Sequence, residues 1–553
     1  MKLYKTINPA CGMGGLAGAC LLLAFFVPSV AQAQGRPAHT RHVRDVVQTG
    51  QASLVGRSSA TQRLNLNIGL PLRNESELDQ LLQQMYDPQS PGYHQYLTVA
   101  QFTDQFGPSE EDYQAVVHFA DANGLTVSGT ARNRLVLDVS GSIENVERAF
   151  HIKIGLYQDP SSARTFYAPD REPTADLAFG LWHITGLDNF STPQPASLIR
   201  NPAAKGTTTG SGPGGDFIGS DMRTAYYGGT TLTGSGQSIG LVEFAGYNIN
   251  DVTAYFNKLK QPFSPGQVVG VSTDGSSLSC SGSCDDTEQV LDIEEAISMA
   301  PGLSQVRVYV SDTSDVSIFN KMATDNIAKS LSCSWGWDPS DPSSDDPIFK
   351  ELAVQGQSLF VVSGDSGAYR KRSRYVYPAD DIWITSVGGT DLTTNGAGGA
   401  WKSETAWSSS GGGISPDGIT IPNYQTTKGV ITSANKGSNT YRNSPDVAAE
   451  ANTDNYICYD GTCAGGWGGT SFAAPRWAGY VTLVNQQAAT NGHAPAGFIN
   501  PNLYALGLGS SHGSIFHDIT SGSNGTYSAV TGFDLVTGWG SPNGSGLIQA
   551  LAP

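Results

Sequence analysis

The segment GGTSFAAP, residues 468–475, contains a serine whose surroundings suit a nucleophile. Small residues before Ser471 allow a tight turn and close approach of a substrate, and an apolar stretch with helical character follows. Pro475 is tolerated in the first turn of a helix, because its missing N–H is not needed there. Ser471 is therefore predicted at a helix N-terminus, where backbone donors favour developing negative charge. The alternative is a serine that only caps the helix.

A serine nucleophile needs a base, and the C-terminal part of the chain has no histidine, the usual base, before Ser471. Residues 216–470 contain no histidine, and the three histidines of the C-terminal part, His493, His512 and His517, all follow the serine. This excludes the orders Asp-His-Ser and His-Asp-Ser. The order Ser-Asp-His stays formally open. We nevertheless expect a base other than histidine.

Carboxylates are the remaining source of a base, and they crowd between Lys260 and Arg307, where the sequence has no basic residue. Glu288 and Asp292 are four residues apart in a stretch of helical character, so they share one face. Two neighbouring carboxyl groups can share one proton, which raises the pKa of one and lowers the pKa of the other. A glutamate held in this way could accept a hydroxyl proton in acidic solution. The alternative is a solvated acidic face.

A third candidate lies in the segment SGDSG, residues 363–367, directly after an apolar run. GDSG resembles the nucleophile segment of chymotrypsin-like proteases, but no upstream histidine in this part of the chain could serve Ser366. DSG also resembles the catalytic triplet of aspartic proteases, yet the sequence has no second Asp-Thr/Ser-Gly. By itself, Asp365 is as consistent with a turn-forming residue as with a functional one.

The elements around these motifs predict a mostly parallel sheet covered by helices. Short apolar runs at residues 239–244 and 359–362 end near polar loops, which is typical of buried strands. Residues 286–300 and 475–487 have helical spacing. We therefore expect residues 216–553 to form an α/β domain, with helices on both faces of the sheet, that carries all three motifs.

The N-terminus has the features of a secretory signal. Lys2 and Lys5 precede an apolar stretch that ends in a small-residue cleavage motif, AQA, at residues 31–33. We assign residues 1–33 to the signal, with a membrane anchor as the alternative, although the apolar run is short for a bilayer span. Export predicts a secreted protein, extracellular or periplasmic. No later segment is long and apolar enough to span a membrane, so we expect no membrane association after signal removal.

The next segments are a folded leader and a connector. Residues 34–195 contain predicted strands that alternate with helices, which favours a small α+β sandwich with one antiparallel sheet. Residues 196–215 are rich in glycine and threonine and predict a flexible linker that proteases can reach. The predicted helices of the leader cover residues 75–85, 114–122 and 143–150.

Composition and cysteine spacing narrow the classes of protein further. The net charge of −17 and the sequence pI of about 4.9 make nucleic acid an unfavourable partner. In an oxidising compartment we expect each of two close cysteine pairs to form a disulfide, with a zinc site as the alternative. Cys333, the one of the five cysteines after the signal that has no close neighbour in sequence, is expected to be buried as a small apolar residue. The pairs are Cys280 with Cys284 and Cys458 with Cys463.

Together the motifs resemble those of the sedolisin family of serine-carboxyl peptidases, whose fold is subtilisin-like. In that family a Glu-xxx-Asp pair and the serine of GTSxxxP form the catalytic triad, and they match Glu288, Asp292 and Ser471. The oxyanion-hole aspartate of the family matches Asp365. The segment SCSWG, residues 332–336, is similar to the strand end that borders the substrate cleft. The resemblance therefore implies substrate-binding roles for Ser334, Trp335 and Gly336.

The leader also resembles a part of that family. Residues 44–190 are similar to its activation domain, including SPGYHQYLT at residues 90–98 and FGPS at residues 106–109. The resemblance implies a ferredoxin-like α+β prodomain. Such a domain would help the enzyme to fold and would inhibit it from within the same chain until self-cleavage in the linker.

The resemblance further implies one structural calcium ion near the C-terminus. Asp518 and Asp534 would supply carboxylates, and Ile519, Val530 and Gly532 would supply backbone carbonyls. Ligation by oxygen alone suits calcium. The alternative, judged from the residues themselves, is an ordinary Gly-Asp turn.

The implied function is that of an acid-active secreted endopeptidase, made as an inactive precursor, that acts as a monomer on proteins or peptides. Ser471 would form an acyl-enzyme, Glu288 would be the general base, and Asp292 would orient Glu288. A protonated Asp365 would donate a hydrogen bond to the oxyanion. Two other classes stay open, namely an exported binding or adhesion module and an inactive homologue that binds partners.

Overall fold

A computed structural model describes residues 35–196, 198–201, 209–281, 284–370, 373 and 375–552. The predicted signal at residues 1–33 and part of the predicted linker, residues 202–208, lie outside the described residues. The chain from Gly35 onward forms one contact unit. Among the described residues, no helix combines the length and apolarity needed to cross a bilayer.

The N-terminal part alternates short strands with five helices. Its strands are β1 (Arg36–Pro37), β2 (Ser53–Arg57), β3 (Arg63–Gly69), β4 (Thr126–Thr130), β5 (Val136–Ser142), β6 (Ile154–Gln158), β7 (Thr165–Pro169), β8 (Thr174–Ala175) and β9 (Ile184–Thr185). Its helices are α1 (Asp45–Gln48), α2 (Glu75–Met85), α3 (Val99–Gln105), α4 (Glu110–Ala122) and α5 (Ile143–Phe150).

Two very short strands, β10 (Gln194–Pro195) and β11 (Ile199–Arg200), follow in the connector. The helices of the C-terminal part are α6 (Gly219–Tyr226), α7 (Ile249–Lys258), α8 (Thr287–Met299), α9 (Asp315–Asp325), α10 (Asp346–Val354), α11 (Asn423–Thr426), α12 (Thr470–Thr490), α13 (Asn500–Gly507), α14 (His512–Ile515) and α15 (Gly544–Leu551). Its strands are β12 (Ser238–Glu243), β13 (Val268–Ser272), β14 (Gln305–Val310), β15 (Ser330–Cys333), β16 (Trp335–Gly336), β17 (Ser358–Val362), β18 (Thr385–Thr394), β19 (Trp401–Ala406), β20 (Gly413–Ile414), β21 (Asn443–Ser444), β22 (Val447–Glu450), β23 (Asn455–Tyr459), β24 (Thr462–Gly468), β25 (Phe516–His517) and β26 (Ser541–Pro542).

The leader differs from the expectation of one antiparallel sheet, because its strands divide between sheets. Strands β4, β5, β3 and β9 form one antiparallel sheet, and β2, β6 and β7 form another. The predicted bounds of α2 and α5 are confirmed. Helix α4 starts four residues earlier than predicted, because the Ser109 hydroxyl caps it by accepting the N–H of Asp112 at 3.0 Å. Strand β5 starts at Val136, just after Arg134, whose φ of 59° is incompatible with extended backbone.

The central sheet has eight strands and is mostly parallel, as predicted. Seven of them follow the order β13-β14-β12-β15-β17-β18-β19, and β22 also pairs with β18. Only β19 pairs antiparallel within this sheet. Because side chains alternate along a strand, Leu241 and Phe360 face one apolar core while Val242 and Val361 face the other. Both faces are therefore covered, the first by α8 and α12 and the second by α9 and α10.

The second core is shared between the N-terminal and C-terminal parts. Leu78 and Leu82 of α2 and Phe102 of α3 belong to the same buried cluster as Phe319 of α9 and Phe349 of α10. Removing one such side chain from water stabilises the folded state by roughly 1.5–3 kcal/mol. The leader is therefore docked on the α9–α10 face of the sheet by apolar contact.

Candidate active site

Ser471 is the second residue of α12 and is fully buried. The small residues before it are required by space, because a Cβ on Gly469 would lie 2.9 Å from Asp365 Oδ2 and 3.0 Å from Leu198 Cδ2. The Ser471 hydroxyl has no hydrogen-bond partner among the described residues. The predicted position at a helix N-terminus is confirmed, and a hydroxyl that makes no capping bond does not fit the capping alternative.

Helix α8 carries the two carboxylates opposite, and it is buried along its whole length. Glu288 is 4% exposed and Asp292 is 0% exposed. The helix packs against α6, α7, α12 and β23, so that even its acidic side is enclosed. A solvated acidic face is thereby excluded as an explanation of these residues.

Burial and the like charge of the neighbouring carboxylate together shift the pKa values of Glu288 and Asp292. Burial first, and then the neighbouring Asp292, raise the pKa of Glu288 well above its usual range, while the nearby Ser471 hydroxyl lowers it. Burial likewise raises the pKa of Asp292. Neither Glu288 oxygen forms a conventional hydrogen bond among the described residues, so Ser471 acts on Glu288 from close range without a formed bond. Long contacts of this kind are common before a substrate binds.

A third buried acid, Glu243, joins the pair, and the sequence analysis did not identify it. Glu243 is the last residue of β12 and is 0% exposed. Burial first, and then the charge of Asp292, raise the pKa of Glu243, and burial raises the pKa of Asp292 as well. Two buried carboxyl groups of like charge do not both ionise readily, so a proton shared between Glu243 and Asp292 is favoured. The one available signal was a charged residue within an otherwise apolar strand run.

The segment 334–336 holds these acids through two side chains. The Ser334 hydroxyl donates to Asp292 Oδ1 at 2.8 Å, and the Trp335 indole N–H donates to Glu243 Oε2 at 3.0 Å. Gly336 has no room for a side chain, since a Cβ there would lie 2.2 Å from the Tyr375 carbonyl oxygen. The predicted cleft segment therefore also fixes the acids in place.

Asp365 approaches the same site from the end of β17. Its Oδ1 accepts two hydrogen bonds from Thr470, one from the backbone N–H at 2.7 Å and one from the hydroxyl at 2.8 Å. Its Oδ2 has no partner among the described residues. Burial raises the pKa of Asp365 to about 7, and the Thr470 bonds only partly offset this. In mildly acidic solution Asp365 is thus a protonated group whose free oxygen is Oδ2.

The connector passes through the cleft between these groups. On one side, Gln194 and Pro195 pair antiparallel with Gly336 and Trp335, and the Ala196 N–H donates to the Ser334 carbonyl at 2.9 Å. On the other side, β11 pairs antiparallel with β24, with Ile199 opposite Gly468 and Arg200 opposite Trp467. The chain therefore lies as an added strand on both halves of the cleft.

The three histidines lie in other surroundings. His493 lies near His94 of the leader, His512 packs against Trp539, and His517 stacks on Trp401 at 3.9 Å between ring centroids. Among the contacts of the described residues, none joins these rings to Ser471. A Ser-Asp-His arrangement therefore has no support, and within the described part of the chain the bases near the serine are carboxylates.

The five residues expected to bind calcium are near one another. Both oxygens of Asp518 accept the Gly532 N–H at 3.2 Å, and Asp534 Oδ2 accepts the Val530 N–H at 3.1 Å. Ile519 is buried against Ala529. Among the described residues, no group of three or more His, Cys, Asp or Glu side chains is arranged to hold a metal ion. A cation here would depend on backbone carbonyls in addition to two carboxylates.

Both predicted disulfides are confirmed. Cys280 bonds Cys284, and Cys458 bonds Cys463 across the hairpin of β23 and β24. The zinc alternative is therefore excluded for these thiols. Cys333 is a buried free thiol, as predicted.

Comparison with known proteins gives two family matches and several relatives. Residues 50–190 match "Pro-kumamolisin, activation domain", and residues 295–508 match the subtilase family. Kumamolisin from Bacillus sp. (strain MN-32) is 30% identical over 92% of this chain and 95% of its own length. Sedolisin from Pseudomonas sp. (strain 101) is 29% identical over 90% of this chain and 88% of its own. A solved structure of Pseudomonas sedolisin, described as a serine-carboxyl proteinase complexed with two molecules of pseudo-iodotyrostatin, covers 62% of this chain and 98% of its own, with 27% identity and a TM-score of 0.52.

Proposed function

This chain belongs to the sedolisin family of serine-type peptidases, and from that membership we propose an endopeptidase that works through an acyl-enzyme on Ser471. The observation that carries the proposal is the buried group of Ser471, Glu288, Asp292 and Asp365, with peptide chain lying across it. Because the connector extends on both sides of the serine, the cleft accepts the interior of a chain. This supports endopeptidase rather than exopeptidase action.

The proton path follows from which carboxyl group can accept. Asp292 accepts a hydrogen bond from Ser334, which favours its ionised form, and the charge of Asp292 in turn raises the pKa of Glu243. Asp292 then orients Glu288, and Glu288 takes the Ser471 proton as the oxygen bonds to the substrate carbonyl carbon. The same proton goes to the leaving nitrogen as the C–N bond breaks. Water repeats the sequence on the ester and restores Ser471.

The oxyanion is stabilised by Asp365. Its fixed Oδ1 leaves Oδ2 to carry the proton toward the cleft, where it can donate to the developing negative charge. A group with a raised pKa is protonated below that pKa, and above it the donor becomes a repelling charge. Activity should therefore be present in acidic solution and fall as the pH rises through about 7.

The leader acts as an activation domain that inhibits the peptidase within the precursor. We divide the chain into signal (1–33), activation domain (34–195), linker with processing site (196–215) and peptidase (216–553). The shared core of α2, α3, α9 and α10 and the connector in the cleft support this arrangement. The protein would be secreted, extracellular or periplasmic, as its N-terminal sequence and two disulfides support.

One structural calcium ion would bind through Asp518 and Asp534 with the carbonyls of Ile519, Val530 and Gly532. The residues fit in their chemistry, because the donors are all hard oxygens. They also fit in charge, because burial raises the pKa of Asp534 to about 7 and a cation would compensate its carboxylate. The ion would hold the loop at residues 530–532, away from the reacting atoms.

The first test is digestion of casein by the purified protein across pH, with and without pepstatin. We expect activity in acidic solution that is insensitive to pepstatin and lost in Ser471→Ala. The Ser471→Ala precursor should also stay full length on acidification, whereas the unchanged precursor shortens. A Ser471→Ala variant that digests casein or shortens at the same rate with no added protease would refute the proposal.

A further inference from the structure

The helix that carries the acids, α8, packs closely against the helix that carries the serine, α12. Glu295 follows Glu288 by seven residues and Asp292 by three, so the three carboxyl groups share one face of α8. Gly479 of α12 permits the close approach, because a Cβ there would lie 2.9 Å from the Met299 Cβ. The contact between the two helices therefore extends well beyond the reacting groups.

A buried ion pair joins the two helices within this contact. Arg476 of α12 and Glu295 of α8 each have a side chain that is 1% exposed, and the Arg476 Nε donates to Glu295 Oε2 at 2.7 Å. Of the ion pairs in the described part of the chain, this one alone involves an acid of α8. A buried guanidinium is stable only when its remaining N–H groups are also bonded.

The other nitrogens of Arg476 bind the segments that lead to Ser471. Nη1 donates to the Glu450 carbonyl at the end of β22, and Nη2 donates to Asn455 Oδ1 at the start of β23, both at 2.7 Å. The Asn455 side-chain amide in turn donates to the Trp467 carbonyl of β24 at 3.2 Å. One guanidinium thus ties α8 to β22, to β23 and, through β24, to the chain that enters α12.

In acidic solution Glu295 is the acid that balances the charge of Arg476. Burial first raises the pKa of Glu450, of Glu294 and of Asp454, the last to about 7, so these acids are neutral at about pH 4. Glu295 differs from them because it contacts the guanidinium directly. The titratable groups that face the pair are Asp292 and Glu294 on α8, Tyr255 on α7, Tyr226 on α6, Glu450 on β22 and Asp454 just before β23.

The charge of Glu295 also acts on the catalytic group. Burial first, and then the charge of Glu295, raise the pKa of Asp292. The Arg476 cation beside Glu295 offsets part of that effect, because opposite charges close together cancel at a distance. The pair therefore bears both on where Ser471 lies and on the pH at which Asp292 ionises.

We propose that Arg476 and Glu295 are positioning residues of the peptidase, whose ion pair holds the Ser471 end of α12 against α8 and balances charge beside Asp292. The pair acts through Ser471 and Asp292 and does not itself touch the reacting atoms. This inference rests on the proposed peptidase function and deepens it by assigning a role to two side chains outside the group of Ser471, Glu288, Asp292 and Asp365.

The first test is the pH profile of kcat/KM for Glu295→Gln on one peptide, measured with the purified protein after acidification. Glutamine keeps an acceptor for Arg476 but removes the negative charge, so Asp292 loses a like charge and keeps a cation nearby. The pKa of Asp292 should fall, and the acidic limb, along which activity rises as the acids ionise, should move to lower pH by roughly half a unit or more. A purely structural role would lower activity at every pH and leave this limb in place.

The second test separates kcat from KM in two variants of Arg476. Arg476→Lys keeps the charge but lacks the planar fork that reaches three partners, and Arg476→Met keeps only the apolar stem. The kcat should fall roughly tenfold in Arg476→Met and less in Arg476→Lys, because a small displacement of Ser471 from Glu288 slows the reaction. KM should stay within about threefold, since the pair does not touch the substrate. If Arg476→Met fails to fold, Glu295→Gln and Arg476→Lys decide.

The matched control is Asp446→Asn. Asp446 forms an equally buried ion pair with Arg442, and none of its side-chain hydrogen bonds within the described residues reaches α8 or α12. This variant should lower the thermal midpoint, but its acidic limb should stay in place and its kcat should change by no more than about twofold.

Three results would each overturn the inference: an unmoved acidic limb in Glu295→Gln, an unchanged kcat in the Arg476 variants, or a limb that Asp446→Asn moves as far as Glu295→Gln does. Any of them would leave the peptidase function intact if Ser471→Ala is inactive. An active Ser471→Ala variant would instead refute the function itself.

Discussion

Asp365 is the residue on which the pH behaviour depends most directly. Asparagine has nearly the same shape and always offers N–H donors, so Asp365→Asn should keep a donor for the oxyanion without needing a proton. Since the acid has a pKa of about 7, the fall in kcat/KM of the unchanged enzyme toward neutral pH should shift to higher pH in the variant. The measurement is the pH profile of kcat/KM on one peptide.

The acidic limb of that profile serves as the control, because it reports on ionisation of the Glu288–Asp292–Glu243 group rather than on Asp365. It should stay in place in Asp365→Asn. A variant whose neutral limb coincides with that of the unchanged enzyme would rule out the oxyanion role of Asp365.

Residue types and spacing predicted Ser471, Glu288, Asp292 and Asp365, because each sits in a short motif whose chemistry is local. Glu243 was missed for a physical reason. Its partners, Asp292 and Trp335, are 49 and 92 residues away in sequence. Nothing near Glu243 in the chain indicates that the end of β12 lies beside α8, so its role follows only from the fold.

At the scale of elements, the loop at residues 530–532 provides a test of calcium binding. Removing the ion with a chelator should lower the thermal midpoint of the Ser471→Ala precursor, because a ligand that binds only the folded state stabilises it by mass action. A tenfold change in the free calcium concentration should change the free energy of unfolding by about 1.4 kcal/mol when the site is near saturation. The measurement is thermal unfolding at several calcium concentrations.

Asp518→Asn removes one carboxylate charge from this loop and should make the thermal midpoint independent of calcium. Asp176→Asn, at an exposed position in the leader, is the matched control and should respond like the unchanged chain. If Asp518→Asn loses stability on chelation as the control does, the calcium assignment is wrong.

Elements with local signals were predicted most closely. Helices α2 and α5 agree with their predicted bounds because the periodicity that predicts them lies within each segment. The strands β10 and β11 could not be predicted from the glycine-rich connector, since they form only by pairing with β16 and β24, far along the chain. Division of the leader strands between sheets likewise depends on pairing that no short segment specifies.

Across the whole molecule, buried carboxyl groups predict that the fold is most stable in acid. Burial raises the pKa of each of seven such groups to values between about 6 and 8, so the folded chain holds protons that the unfolded chain releases above pH 4. Stability should therefore fall as the pH rises from about 4 to 8. The groups are Asp216, Asp286, Asp346, Asp365, Asp454, Glu351 and Asp417.

The carboxylates of lowered pKa act in the opposite sense, but they lose their stabilising effect only as the pH falls below about 4. They are Glu147, Asp170, Glu172 and Asp341. The thermal midpoint of the Ser471→Ala precursor should thus drop by several degrees between pH 4 and pH 7.5. Asp454→Asn stays neutral at every pH and should flatten part of that slope. A midpoint that rises over the same range would contradict the prediction.

The α/β class of the peptidase part and the mixed leader were predicted from sequence, but the core that joins them was not. Its members, such as Leu78 and Phe349, lie in segments whose own periodicity predicts only separate amphipathic helices. Which helix faces meet is decided by the folded chain as a whole.

That joint core means that severing the connector does not by itself set the peptidase free. The two fragments would still bury each other's apolar surfaces, and their dissociation would expose side chains such as Phe102 and Phe319 to water. Cleavage of the connector and dissociation of the leader are thus separate events. The cleaved protein should migrate as a single complex until the leader and the peptidase part dissociate.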